Sequence, residues 1–242
     1  MRYLILLAGM GKRMGREQAR TPKCLIDVGG EPLIARLLRQ IRSADPRADI
    51  HVVLGYRADA IRPWVQGCRV VVNPFFDITG ITASLWFARA AFDEALTVIH
   101  GDVVLSDDLA ADVVAAAATS FVAFDSSVLD PAEINIAVAA GRVVRFGVNF
   151  APYAGAYTGL LRLSAPAARL FADTIDRRIV RGFNEPRTYY FFAMRALIDD
   201  PRIELAPFDF AGRRWKEIDR VDDIGVARQV VDHAQREAVD VE

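Results

Sequence analysis

The chain has 242 residues, 52 % hydrophobic and 25 % charged, enough apolar material for a sizeable core in one or two domains. Lys and Arg number 30 against 31 Asp and Glu, a net charge of -1, which argues against a general nucleic-acid binder while leaving room for a local basic pocket that holds phosphates. Two cysteines, Cys24 and Cys68, do not make a disulfide framework, and no run approaches the ~20 apolar residues of a membrane span.

Met1 to Ala8 is too short an apolar run for a signal peptide and lacks a small-residue cleavage site. A cytoplasmic protein with reduced thiols, no membrane and no nucleic-acid partner is expected. Tyr3–Ala8 reads as a strand buried on both faces. A loop rich in Gly and basic residues follows from Gly9 to about Gly30, and Pro32 opens a helix with Leu33, Ile34, Leu37, Leu38 and Ile41 on one face. Strands are predicted at Ile50–Leu54, Arg69–Val72, Leu96–Ile99, Phe121–Phe124, Ile134–Ala139, Val143–Phe146, Tyr157–Leu163, Ile203–Ala206 and Trp215–Ile218. Helices are predicted at Asp59–Val65 (interrupted by Pro63), Thr82–Phe92, Asp108–Ala117, Pro166–Arg178, about Thr188 to Ile198, and Asp223–His233. Strand and helix alternate in the first half, the pattern of a mostly parallel sheet, and the second half is β-rich. The expectation is one α/β domain with a mostly parallel mixed central sheet. A first part to about residue 125, a β-rich part from about 126 to 215, and a closing strand and helix over 215–242 are expected.

The loop after the first strand reads Leu7-Ala8-Gly9-Met10-Gly11-Lys12-Arg13-Met14-Gly15, then Thr21-Pro22-Lys23. Its glycines free backbone N–H groups to approach a phosphate, and Lys12, Arg13 and Lys23 add cationic donors. A dinucleotide fingerprint would start a helix inside the glycine run, whereas here Pro22 lies further along the same loop. A P-loop would follow its lysine with Ser or Thr, and Arg13 stands there. Gly29-Gly30-Glu31-Pro32-Leu33-Ile34 completes the segment.

From Leu6 to Ile34 the chain resembles the nucleotidyltransferase family that activates sugar phosphates and phosphocholine, with Leu7 where an alanine is usual. The resemblance implies a Rossmann-like nucleotidyltransferase fold, with about residues 1–125 binding nucleotide, about 126–215 binding an acceptor, and 215–242 carrying a metal-binding strand and a closing helix. It implies that the loop from Leu7 through Ala8, Gly9, Met10 and Gly11 to Lys12 lines the nucleotide. Arg13 and Lys23 would contact the NTP phosphates or the pyrophosphate leaving group.

Asp102 follows a predicted strand and a glycine, facing the crevice where open α/β sheets bind ligands. A turn or cap aspartate is the plainer reading of the same residue. Glu217 and Asp219 flank Ile218, and strand alternation puts both acids on one face. Mg²⁺ takes one or two carboxylates besides phosphate oxygens and water. Asp102 and Asp219 are the expected pair, with Glu217 accessory. Gly101-Asp102 resembles the family's metal-binding motif, and Trp215-Lys216-Glu217-Ile218-Asp219 with Asp223 and Ala227 resembles the ending of phosphocholine-type cytidylyltransferases.

Between a strand and a helix lies Asn73-Pro74-Phe75-Phe76-Asp77-Ile78-Thr79-Gly80-Ile81-Thr82-Ala83-Ser84, with Thr82 the expected N-cap. It resembles a segment of phosphocholine and aminophosphonate cytidylyltransferases. Thr79 and Ser84 match, whereas Gly80 and Ile81 replace an Asn pair. Thr79, Gly80 and Ser84 are therefore expected at the nucleotide. For the acceptor, Arg142, Arg145, Arg162 and Arg187 are candidate anion ligands, and Tyr153, Tyr157, Tyr189 and Tyr190 are candidate walls, able to hold a quaternary ammonium by cation–π attraction. His100 reads as a structural strand-end residue.

The implied reaction joins a nucleoside monophosphate, from CTP or another NTP, to a small phosphate or phosphonate acceptor with Mg²⁺. Phosphocholine and 2-aminoethylphosphonate are the leading acceptors, and a sugar 1-phosphate is the alternative. A glycosyltransferase, an NAD-dependent oxidoreductase and a non-catalytic nucleotide-binding regulatory module are the rivals. A homodimer is compatible with the sequence and not required by it.

Overall fold

Strand β1 (Arg2–Leu7) sends alternate side chains to opposite faces, and both faces find apolar partners. Leu4 packs with Val53, Val98, Leu161 and Phe171, while Tyr3, Ile5 and Leu7 pack with Ile34, Leu37, Val52 and Ile99. A strand buried on both sides needs a helical layer on each face of its sheet. The structure, a computed structural model, describes residues 1–15, 21–117, 119–181 and 189–239, with side chains as far as residue 231.

β2 (Asp49–Leu54) and β4 (Leu96–His100) flank β1 in parallel, and β3 (Arg69–Val72) adds to β2 in the same sense. Past β4 the direction changes. β9 (Gly155–Leu163) runs antiparallel between β4 and β6 (Phe121–Asp125), and β10 (Ala206–Asp209) joins β6 in parallel. The order is β10-β6-β9-β4-β1-β2-β3. A hairpin of β7 (Asn135–Ala139) and β8 (Arg142–Gly147) leans on β9, and a separate ribbon pairs β5 (Val103–Leu105) with β11 (Trp215–Glu217). Helices α1 (Leu33–Ala44), α2 (Ala58–Ile61) and α4 (Asp107–Ala115) cover the Ile5 face. Helices α3 (Ile81–Phe87), α5 (Ala165–Val180) and α6 (Phe191–Asp199) cover the Leu4 face. Helix α7 (Val221–Val239) closes the chain. The result is a single α/β domain with a mostly parallel mixed central sheet, as the alternation of elements predicts.

Several boundaries differ for identifiable reasons. Thr82 does not cap α3. Gly80 holds the cap position, and Thr82 lies inside the helix, fully buried. Pro63 ends α2 early, and residues Arg62–Trp64 continue as a 3-10 turn. The predicted strand Ile203–Ala206 begins only at Ala206, because Ile203 and Leu205 fill the core and the Leu205 carbonyl accepts from Val143 N–H at 2.9 Å. β5 was hidden behind the turn at Gly101-Asp102, being three residues long.

Candidate active site

The glycine-rich loop and the end of the chain meet through a third apolar cluster. Met14, Ile26 and Val28 from the loop pack with Val104, Ile218, Ala227, Val230 and Val231. The β5–β11 register then sets the acids. Glu217 stands opposite Val103, and Ile218 N–H donates to the Asp102 carbonyl at 2.9 Å. Ile218 is fully buried in the cluster, so its neighbours Glu217 and Asp219 turn the other way.

Lys23 lies in a short 3-10 turn after Pro22. Its Nζ donates to Asp102 Oδ2 at 3.1 Å and to Asp219 Oδ1 at 2.8 Å. One ammonium thus spans two carboxylates that are far apart in the chain. Arg13 Nη1 pairs with the other oxygen of Asp219 at 2.7 Å. Lys23 is 14 % exposed and Arg13 is 70 % exposed, so one cation is built in and the other reaches in from solvent. Burial alone would lower the Lys23 pKa, but Asp102 and Asp219 outweigh it and hold it above its ordinary value. Gly11 adopts φ +61, which suits glycine, and a Cβ there would stand 3.1 Å from Lys23 Cγ. Gly101 has no room for a side chain either, since a Cβ would stand 2.6 Å from the Leu6 carbonyl oxygen.

Asp223 secures the Asp219 turn. Its Oδ2 accepts from the backbone N–H of Asp219 at 2.9 Å and of Arg220 at 2.7 Å, and its Oδ1 pairs with Lys216 at 2.7 Å. Burial would raise the Asp223 pKa, yet Lys216 and the two N–H groups keep it below its ordinary value.

A cavity of about 380 Å³ opens beside these residues. Ala8, Gly9, Met10, Gly11 and Lys12 line it together with Thr79, Gly80 and Ser84, and His100 and Asp102 reach it from β4 and the turn that follows. Leu7 is buried in the core and touches only a smaller adjoining pocket of about 100 Å³, shared with Lys23 and Asp102.

His100 is a site residue that the sequence reading treats as structural. Its ring, Asp102 and Glu217 each offer a ligand atom, and these atoms lie within 4.8 Å of one another. The available signal is its spacing, two residues before Asp102 along one strand and turn. Burial lowers the His100 pKa against the opposing charge of Asp102. Burial also pushes Glu217 up to about 8, with Asp102 and Asp219 adding to the rise. Three tyrosines close around the histidine. Tyr189 OH donates to Tyr190 OH at 3.1 Å, and Tyr190 OH donates to Tyr157 OH at 3.1 Å. The Tyr190 hydroxyl also stands 3.4 Å from His100 Nε2. Burial raises the pKa of all three phenols, that of Tyr190 to about 12.

The described arginine candidates for an acceptor, Arg142, Arg145 and Arg162, do not join this group. Arg162 is 1 % exposed. It donates to Thr97 Oγ1 at 3.1 Å and to the carbonyls of Val113 and Ala116 at 2.6 and 2.8 Å, tying down the C-terminal end of α4. Arg142 donates to the Ile203 carbonyl at 2.8 Å. Arg145 is exposed with its guanidinium over the Phe150 ring, whereas the next residue, Phe146, packs on Tyr157 and Tyr190. Tyr153 donates to the Leu129 carbonyl at the surface. Arg187 and Thr188 lie outside the described residues.

The donor set suits a hard divalent cation. Asp102 and Asp219 already converge on one positive group, and Glu217 and His100 stand beside Asp102. Asp219 belongs with Asp102 through Lys23, whereas Glu217 and His100 belong with it by proximity.

Comparison with known proteins gives the family and the fold. A family model described as the MobA-like NTP transferase domain matches residues 3–142. A CMP-5'-(3-aminopropyl)phosphonate synthase of Streptomyces rubellomurinus is 30 % identical over 129 residues, 51 % of this chain and 20 % of that protein. A bifunctional IPC transferase and DIPP synthase of Rubrobacter xylanophilus is 27 % identical over 234 residues, 94 % of this chain and 51 % of that protein. The chain thus spans about half or less of the length of these curated relatives. The solved CTP:phosphocholine cytidylyltransferase of Streptococcus pneumoniae shares the fold, with a TM-score of 0.75 at 21 % identity over 95 % of this chain and 98 % of that one. No helix among the described residues is long and apolar enough to cross a membrane.

Proposed function

This chain belongs to the MobA-like NTP transferase domain family, and from that premise we propose that it moves CMP from CTP to a small phosphate or phosphonate acceptor and releases pyrophosphate. The observation that carries the proposal is the meeting of Lys23 with Asp102 and Asp219 beside a cavity walled by the glycine-rich loop. Cytidine as the nucleoside is supported by a relative named for a CMP product and a fold neighbour named for CTP.

The acceptor oxygen is already ionised at neutral pH, so the chain needs no general base. That oxygen attacks the α-phosphorus in line. The new P–O bond forms as the bond to the β-phosphate oxygen breaks, and the electron pair leaves on pyrophosphate. Lys23 and Arg13 neutralise charge on the triphosphate and the leaving group. The loop from Ala8 to Lys12 holds the nucleotide against Thr79, Gly80 and Ser84. Asp102 and Asp219, with Glu217 as accessory, would hold Mg²⁺, which would supply further neutralisation of the phosphate oxygens. The aromatic rings grouped at His100, Tyr157 and Tyr189 suit an acceptor whose far end is an ammonium, as in 2-aminoethylphosphonate or phosphocholine.

A pyrophosphate-release screen with Mg²⁺ tests this, pairing each of four NTPs with 2-aminoethylphosphonate, phosphocholine and a sugar 1-phosphate. CTP with one of the first two acceptors is the expected active pair. Release only with a sugar 1-phosphate would move the reading to NDP-sugar synthesis. Nucleotide binding without any release would make the domain a regulatory module.

A further inference from the structure

Asn73 is 1 % exposed, and an amide that deeply buried is costly unless its hydrogen-bonding groups are used. Here they are. Nδ2 donates to Thr79 Oγ1 at 3.2 Å and to Ser84 Oγ at 3.1 Å, while Oδ1 accepts from Phe75 N–H at 3.0 Å. The Phe75 N–H can only donate, so it fixes which end of the amide is oxygen and leaves both amide protons for the two hydroxyls. Asn73 is itself tied to the sheet, its N–H donating to the Leu54 carbonyl at 2.9 Å. Thr79 gives its own proton to the Phe75 carbonyl at 2.6 Å. Ser84, accepting from Asn73, must turn its proton elsewhere.

Asn73, Thr79 and Ser84 line the cavity. The glycine-rich backbone and Lys12 line it too, and Lys23 and Arg13 gather at Asp219 beside it, which is the chemistry of a phosphate end. From the Asn73 turn and α3 the cavity is lined by hydroxyls, the Gly80 peptide, the apolar Phe76 and Ile81 and one acid, Asp77, whereas its lining cation, Lys12, comes from the glycine-rich loop. Neutral hydrogen-bonding groups set among apolar ones are what discriminates one base edge from another.

We infer that Asn73 is a positioning residue that sets which nucleobase the cavity accepts, acting through Thr79 and Ser84. This rests on reading the cavity as the nucleotide site. Asn73→Asp keeps the shape of the side chain but removes both donors, so the hydroxyls lose the group that orients them and Thr79 is drawn from the Phe75 carbonyl.

The test is calorimetric titration of the full chain with ATP, CTP, GTP and UTP, which needs no acceptor. Wild type should prefer one NTP. Asn73→Asp should weaken that NTP about tenfold and shrink its preference over the next best by about threefold or more. Ser84→Ala should weaken binding as well, and the double variant should lose less than the product of the two single losses, because the residues act as a unit. If Asn73→Asp does not fold, Thr79→Val with Ser84→Ala removes the same two hydroxyls and should flatten the same preference. A wild type that selects one NTP and variants that select it equally well would overturn the inference alone. A wild type that binds no NTP would overturn the nucleotide reading of the cavity, and the inference with it.

Discussion

The glycine-rich loop and the Asn73 turn line an open cavity with Asp102. His100, at the edge of that cavity, meets Tyr157, Tyr189 and Tyr190, which close on one another until Tyr190 is wholly buried against Phe146 and Phe171. The nucleotide side is made of loops with polar ends, the glycine-rich one anchored by Met14, Ile26 and Val28 in the cluster with Ile218. The tyrosine side is a face of the main core. Substitutions on the nucleotide side should therefore cost turnover with little cost in stability, whereas the tyrosine side should show both effects together.

The largest expected effect is Asp102→Ala, a loss of turnover of about 10³-fold or more, measured as pyrophosphate release. A rate near that of wild type would remove Asp102 from the chemistry and erase the boundary between the two sides. Tyr190→Ala should cost about 3–5 kcal/mol of stability in urea unfolding, against about 1 kcal/mol for Tyr190→Phe, which keeps the ring and loses only hydroxyl contacts. Equal stabilities for the two would show that the tyrosine wall is not core. Lys23→Ala should lower kcat/KM about 10²-fold by removing the ammonium from both acids. A smaller effect is expected for Arg162→Met, a loss of about 2–3 kcal/mol as the α4 carbonyls lose their charged donor, with acceptor KM unchanged. A raised acceptor KM in a fully stable variant would return Arg162 to the acceptor site. The smallest is Asp223→Ala, about 1 kcal/mol in the same unfolding assay, as two backbone N–H groups at the Asp219 turn lose their acceptor.

The same contrast explains what could be read before the structure. The nucleotide wall is local in sequence, so its chemistry is legible as a string: glycines, then Arg13, then Lys23, all within one loop. Asp102 and Asp219 are legible because strand ends and alternation fix which way they point. That Lys23 joins them is not, because it depends on Met14, Ile26 and Val28 finding Ile218 and α7 across nearly the whole chain. Arg162 reads as a surface cation until the partners of its guanidinium are known, and they are carbonyls of a helix end that sequence does not place beside it. Asn73 reads as an ordinary residue before a proline, since its three side-chain bonds form only when the turn closes on α3. His100 reads as a plain strand-end residue, because its contact with the tyrosines requires β9 and the start of α6 to arrive from far downstream.

The central claim is that Lys23 and Asp219, 196 residues apart, act as one unit. A double-mutant cycle on pyrophosphate release, with Lys23→Ala, Asp219→Asn and the pair, tests it most directly. A shared site predicts that the double variant is little slower than the worse single variant. Losses that multiply, as for residues working apart, would contradict it.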